Sequence, residues 1–185
     1  MTDGLTVSFM TEVTARDLSA AIRNVPDFPK PGIQFKDITP VLADARLFAG
    51  SIDLLTASIS PGSLDAVVGI DARGFIFAAA AAYKLGCGFV PVRKKGKLPF
   101  QTYEETYDLE YGSNTVAIHV DAIKPGSRVL LVDDLLATGG TAIAAAKLLK
   151  RIGAELVGIS FLIELSFLNG RDRLKGLPVR SLVIY

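Results

Sequence analysis

The residues best suited to chemistry lie in RVLLVDDLLATGGTAIAAAKLL (128–149). An apolar, β-branched run ends in Asp133 and Asp134, and a short loop then closes in Thr138-Gly139-Gly140-Thr141 and opens a helix. Two neighbouring carboxylates at a buried strand end repel unless they bind hydroxyls, a cation or a metal-bound ligand. Gly139 and Gly140 let the backbone approach a ligand closely. The helix start offers unbonded N–H groups and the positive end of its dipole, and the two threonines add hydroxyl donors. Together these groups make a phosphate cradle. Ala142 follows Thr141 and no lysine follows the glycines, which disfavours a Walker-type kinase or NTPase. Without the acids, Gly-Gly reads better as a turn and Thr141 as a helix cap.

The surrounding elements must present this stretch. RVLLV (128–132) is predicted as a buried strand and Thr141–Ile152 as a helix ended by Gly153. AVVGI (66–70), GFVPV (88–92) and LVGISFLI (156–163) are further strands, and Gly74–Leu85 is an alanine-rich helix. This alternation predicts an α/β fold with a mostly parallel central sheet flanked by helices on both faces. Ligands of such sheets bind at the carboxyl ends of strands, where this sequence puts its polar groups. The segment from Lys94 to Thr115 breaks the rhythm with charges, glycines, a proline and three tyrosines, ahead of the alternating TVAIHV (115–120). It reads as an antiparallel flap rather than part of the central sheet; long excursions of this kind are functional or disordered. Earlier in the chain, a helix is predicted from near Thr14, with Asp17 forming a capping-box variant, and another over Asp44–Ser60 behind a capping Asp44. Between them, the prolines of PDFPKPGIQFKDITP (26–40) keep the chain from being helical.

Composition excludes several classes. The chain has 185 residues, half of them apolar, a length that predicts one domain with a substantial core. Its net charge of +1 argues against a nucleic-acid platform. Cys87, the only cysteine, cannot form an internal disulfide, and one cysteine with one histidine leaves too few ligands for a structural zinc site. The longest charge-free run, Leu135–Ala146, falls far short of the roughly 18 apolar residues of a membrane span. The first residues carry acids and no apolar h-region, unlike a signal peptide. These features predict a soluble, intracellular protein.

VLLVDDLLATGGT (129–141) resembles the phosphoribosyl-diphosphate-binding signature of type I phosphoribosyltransferases. PDFPKPGIQFKDITP (26–40), GIDARGF (69–75), GFVPVRKKGKLP (88–99), YDLEYG (107–112) and LIELSFLNGR (162–171) narrow the resemblance to the adenine-using branch of that family. The match runs nearly end to end. It implies the type I phosphoribosyltransferase fold as a single domain over 1–185, with a base-binding hood over 1–40 and a flexible catalytic flap over 94–115. The implied reaction is purine salvage: adenine and 5-phospho-α-D-ribose 1-diphosphate give AMP and diphosphate, with Mg²⁺ as cofactor. The family also implies a homodimer, and the composition above predicts a cytoplasmic protein with no nucleic-acid or membrane partner.

The resemblance assigns roles residue by residue. Asp133 and Asp134 would bind the ribose 2′- and 3′-hydroxyls with the divalent metal nearby, and Ala137, Thr138, Gly139, Gly140 and Thr141 would wrap the 5′-phosphate. Arg73, in the Asp71–Gly74 diphosphate loop, would join Arg93, Lys94 and Lys97 in holding the diphosphate; by charge pattern alone RKKGK is also compatible with a solvated loop face. Gln34 and Phe35 would contact adenine, Phe35 stacking on the ring opposite Leu165; from residue type alone Phe35 is a core residue. In the flap, Glu110 would accept the proton that adenine loses and Tyr111 would shield the anomeric carbon from water. The alternative for Glu110 is a solvated hairpin acid. His119 reads as a partly exposed strand residue and Cys87 as a small buried apolar group.

Two other functions fit parts of the chain. A related enzyme could use xanthine or orotate, against which Phe35 with its segment and the YDLEYG flap argue. A phosphoribosyl-diphosphate-sensing regulator would need a DNA-reading module, and the first 60 or so residues show no basic recognition helix.

Overall fold

A computed structural model describes residues 12–108 and 112–185. By internal packing the chain divides into two compact units, Met1–Ser51 and Ile52–Tyr185.

In the first unit, helix α1 (Ala15–Ala21) starts at the expected capping box. The Thr14 hydroxyl accepts from the Asp17 N–H at 3.3 Å, and the Asp17 carboxylate accepts from the Thr14 N–H at 2.9 Å. Two strands that the sequence reading did not include follow. These are β1 (Arg23–Pro26) and β2 (Gln34–Asp37), an antiparallel pair running from Arg23↔Asp37 to Pro26↔Gln34. The Asp27 carboxylate ties their connection by accepting from the Gly32 N–H at 2.7 Å. The prolines exclude helix only as far as Ile38. Helix α2 (Thr39–Ala43) has Pro40 in its first turn, where a missing N–H costs nothing. Asp44 caps α3 (Ala45–Leu55) as expected, accepting from the Leu47 N–H at 2.8 Å. The helix stops at Leu55, short of the expected Ser60. Beyond it the Thr56 hydroxyl donates to the Ile52 carbonyl at 2.8 Å, and the chain turns ahead of Pro61-Gly62.

The second unit is built on a seven-stranded sheet of order β5-β6-β4-β3-β7-β8-β9. Its strands are β3 (Ala66–Ile70), β4 (Gly88–Lys94), β5 (Thr102–Asp108), β6 (Ser113–His119), β7 (Arg128–Leu136), β8 (Glu155–Glu164) and β9 (Val179–Ile184). The pairs β3–β4, β3–β7, β7–β8 and β8–β9 are parallel. The apolar runs 66–70 and 88–92 are strands as predicted, and β9 is one that the sequence reading did not include. Helix α4 (Gly74–Leu85) packs on β3 and β7, while α5 (Gly140–Ile152) packs on β5, β6 and β8. Val68, Ile70, Leu131, Ala145, Leu148 and Phe161 belong to the main buried cluster.

Two expectations need correction. The segment 94–115 does form an antiparallel hairpin, but it is not separate from the central sheet. Strand β4 runs two residues past its apolar stretch and pairs with β6 at Arg93↔Ala117 and Lys94↔Val116. Val116, Ala117 and Ile118 are buried there, and burying that face is the reason the hairpin extends the sheet. The other correction concerns the acids. Strand β7 does not end before Asp133: it continues to Leu136 because β8 pairs with it through Leu136↔Glu164. Strand β3 pairs with β7 only as far as Val132. Asp133 and Asp134 therefore sit inside a strand that has lost its neighbour on one side.

Candidate active site

Strand order dictates where the site forms. From β3 the chain moves to β4 on one side, while β7 lies on the other, so the connections diverge above the carboxyl ends of β3 and β7. Such switch points open a crevice in parallel sheets. The unpaired end of β7 lines it with the two acids, and the residues after β3 supply a guanidinium. Arg73 Nε lies 2.8 Å from Asp134 Oδ2. Asp133 Oδ1 accepts from the Asp134 N–H at 2.9 Å, and the Asp133 side chain lies so close to Gly74 that a Cβ there would collide with it. Burial, reinforced by the Asp134 charge, pushes the Asp133 carboxyl well above the usual carboxylate range. Burial also raises Asp134, against the pull of Arg73. Both acids are thus poised to gain from a partner that returns them to the charged form: a hydroxyl donor or a cation.

The loop after β7 leads into α5 where the sequence expects an anion cradle. A cavity of about 70 Å³ is lined by Asp133 and residues 135–142. Gly139 has φ +78°, a left-handed conformation that favours glycine. No side chain caps α5, so the first-turn N–H groups remain available to an anion. Thr141 is not a helix cap: it stands inside the first turn, and its hydroxyl donates to Tyr107 Oη at 2.9 Å.

Several other expected residues fall around the same crevice. Arg93, near the end of β4, bonds through Nε to Asp71 Oδ2 at 3.1 Å and through Nη1 to the Lys97 carbonyl at 2.9 Å. Lys94, the last residue of β4, and Lys97, just past the turn that follows, are both exposed, and the Lys97 N–H bonds to the Lys94 carbonyl. Lys95, between them, pairs with Glu104 at 2.7 Å. The Asp71–Ala72 peptide is cis. Leu165 is half-buried just past β8, its N–H bonded to the Leu136 carbonyl at 2.9 Å. Gln34 and Phe35 belong to the first unit, on β2. Gln34 is exposed, and the half-buried Phe35 ring meets Phe28 edge to face at 5.1 Å. Glu110 and Tyr111 lie outside the described residues. His119 is partly exposed at the end of β6, accepting from the Phe100 N–H at 3.3 Å, and Cys87 is half-buried.

Sequence reasoning missed a supporting layer. A Cβ on Gly170 would overlap the Ala137 carbonyl oxygen and lie 2.9 Å from Gly139 N. Gly170 is the surface on which the 137–139 loop rests, and Asn169-Gly170 signals only a turn in the sequence. Next to it, Arg171 forks onto the buried Glu164 carboxylate, with Nε at 3.0 Å, and also donates to the Val179 carbonyl and Ser181 Oγ, each at 3.1 Å. That fork holds Glu164 below the usual carboxylate range and fixes the 165–174 turn to β8 and β9.

Among the described residues no group of three or more His, Cys, Asp or Glu side chains could hold a metal by itself, and no helix is long and apolar enough to cross a membrane.

Comparison with known proteins agrees with this geometry. The family model described as a phosphoribosyl transferase domain matches residues 34–176. The adenine phosphoribosyltransferase of Acidothermus cellulolyticus is 59% identical over 166 residues, 90% of this chain and 94% of that protein. The crystal structure of the Thermoanaerobacter pseudethanolicus adenine phosphoribosyltransferase aligns with TM-score 0.89 at 50% identity, covering 93% of this chain and all of that one. The Saccharomyces cerevisiae enzyme, solved with adenine and an imino-altritol bisphosphate, aligns with TM-score 0.86 at 42% identity over 91% of this chain and 97% of its own. With identity at this level over nearly its whole length, the chain belongs to the phosphoribosyltransferase family, in its adenine phosphoribosyltransferase branch.

Proposed function

We propose that the chain catalyses the purine-salvage reaction in which adenine displaces diphosphate from C1 of 5-phospho-α-D-ribose 1-diphosphate, giving AMP. The observation that carries this reading is the pair of acids running into an uncapped helix N-terminus at the sheet's switch point. That arrangement offers two hydroxyl-binding carboxylates beside one phosphate cradle, the polar outline of a 5-phosphoribosyl group.

Each group then has work in the displacement. Asp133 and Asp134 accept from the ribose 2′- and 3′-hydroxyls, and residues 137–141 hold the 5′-phosphate, fixing the sugar at both ends. Arg73, Arg93, Lys94 and Lys97 neutralise the diphosphate as its bond to C1 breaks and positive charge develops on the ring. N9 of adenine forms the new bond to C1, and the proton that adenine loses passes to Glu110, with Tyr111 excluding water. Gln34 and Phe35 bind the base, and Leu165 supplies an apolar contact to it. The donor set fits Mg²⁺, which prefers one or two carboxylates plus substrate oxygens to an all-protein cage. When bound, the ion would offset diphosphate charge beside Asp133 and Asp134.

A phosphorylated sugar is an intracellular metabolite, which supports a cytoplasmic location for the reaction. We also assign the protein a homodimer. Ile76 and the 91%-exposed Tyr83 leave an apolar stripe on α4, beside the Phe75–Phe89 pair, for a second copy to cover.

Offering adenine, hypoxanthine, guanine, xanthine and orotate with phosphoribosyl diphosphate and Mg²⁺ tests the function. Adenine should be consumed with stoichiometric AMP and diphosphate. Consumption of only another base would refute the assignment.

A further inference from the structure

Strand β5 lies along α5 through every second residue. Tyr103 has the Arg151 guanidinium 4.3 Å above its ring, Glu105 pairs with Lys147 at 2.8 Å, and Tyr107 meets Thr141 at 2.9 Å. The two periods match: four residues of strand span about 13 Å, and the ten residues from Thr141 to Arg151 span about 15 Å of helix. At the active-site end the fit is closest. A Cβ on Gly140 would come within 2.7 Å of the Tyr107 ring, so the phenol lies directly on the backbone of the anion loop. The hairpin is thus docked on the helix whose first turn forms the phosphate cradle, and its last contact is with a cradle residue.

We propose that Tyr107 is a positioning residue that couples hairpin docking to occupancy of the phosphate cradle. The argument rests on the proposed role of residues 137–141 and on the proton count of two hydroxyls. Thr141 has one hydroxyl proton, which it donates to Tyr107 in this structure. To donate to a phosphate oxygen, Thr141 must withdraw that proton. Tyr107 can then turn its own O–H toward Thr141 Oγ1. The result is a chain, Tyr107 O–H to Thr141 Oγ1 and Thr141 O–H to phosphate, in which each bond polarises the next. Only a docked β5 completes the chain. A bound phosphate therefore favours docking, and docking strengthens phosphate binding by the same factor.

Tyr107→Phe removes the relay and keeps the ring. One net hydrogen bond is worth roughly a three- to tenfold change in affinity. The variant should raise the KM for phosphoribosyl diphosphate by that factor, leave the KM for adenine within twofold, and melt within a few degrees of the parent. Ribose 5-phosphate supplies a readout independent of turnover. In the parent it should slow amide hydrogen exchange in 102–107; in Tyr107→Phe and in Thr141→Val it should not, whereas Thr141→Ser, which keeps the hydroxyl, should restore the effect. Ribose 5-phosphate binding to Tyr107→Phe with unchanged affinity and unchanged protection of 102–107 would overturn the proposal. So would equal shifts in both KM values. If the parent binds ribose 5-phosphate and shows the coupling but does not consume adenine, the proposed reaction fails and the coupling stands.

Discussion

Gly170→Ala adds one methyl group directly against the backbone of the 137–139 loop. That methyl would overlap the Ala137 carbonyl oxygen and lie 2.9 Å from both the Ala137 carbonyl carbon and Gly139 N. All three are backbone atoms, so no side chain can rotate away and the loop itself has to move. Overpacking of this kind costs about 1–3 kcal/mol. At about 2–4 °C per kcal/mol for a chain of this size, that is a Tm drop of about 2–12 °C. A shift of about 1 Å in a substrate-holding loop can cost about 10²-fold in rate. The KM for phosphoribosyl diphosphate and the affinity for ribose 5-phosphate should therefore suffer far more than the KM for adenine. Gly176→Ala is the matched control. Gly176 has φ +85°, and a Cβ there would meet nothing within 4 Å, so alanine carries the backbone strain of about 1–2 kcal/mol without touching the loop. Calorimetry and steady-state kinetics on both variants separate the two effects. If Gly170→Ala loses stability like Gly176→Ala but keeps the parent's KM for phosphoribosyl diphosphate, Gly170 does not support the loop and the reasoning fails.

Three other perturbations follow from the same structure. Asp133→Asn should lower activity by about ten- to a hundredfold through the lost charge-assisted bond. It should also raise the Tm of the ligand-free protein at pH 8, because burial and Asp134 hold this carboxyl above its ordinary range and ionising it costs stability; a lower Tm would contradict that electrostatic picture. Glu164→Gln should cost about 1–2 kcal/mol at pH 7, the figure kept small because Arg171 is half exposed to solvent. Glu164 is lowered in the folded state, so its stabilisation is present above the ordinary glutamate value and is lost as pH falls from there through the lowered folded value. Urea unfolding should accordingly show the gap between parent and variant closing at acid pH, and a constant gap would be the contrary result. Phe35→Ala should raise the KM for adenine and leave that for phosphoribosyl diphosphate unchanged; equal effects, or a collapse in Tm, would return Phe35 to a packing role.

Much of this protein is legible in the residues alone. The strands at 66–70 and 88–92, the helix at 74–85 and the cap at Asp44 follow from periodicity and hydrogen-bonding type, which act over a few neighbouring residues. The acids and the Thr-Gly-Gly-Thr turn mark a strand–loop–helix for the same reason. What the sequence could not fix depends on partners far along the chain. Strand β7 runs through Asp133 and Asp134 because β8 lies beside it and β3 has ended. The 94–115 segment joins the sheet because β4 extends two residues to meet β6. Gly170 supports a loop more than thirty positions before it, and Tyr107 reaches Thr141 across a comparable gap. Local rules carry no term for such contacts: a glycine needed for close approach and one needed for a turn are the same letter, and only the packed chain shows which atom occupies the space a side chain would have filled.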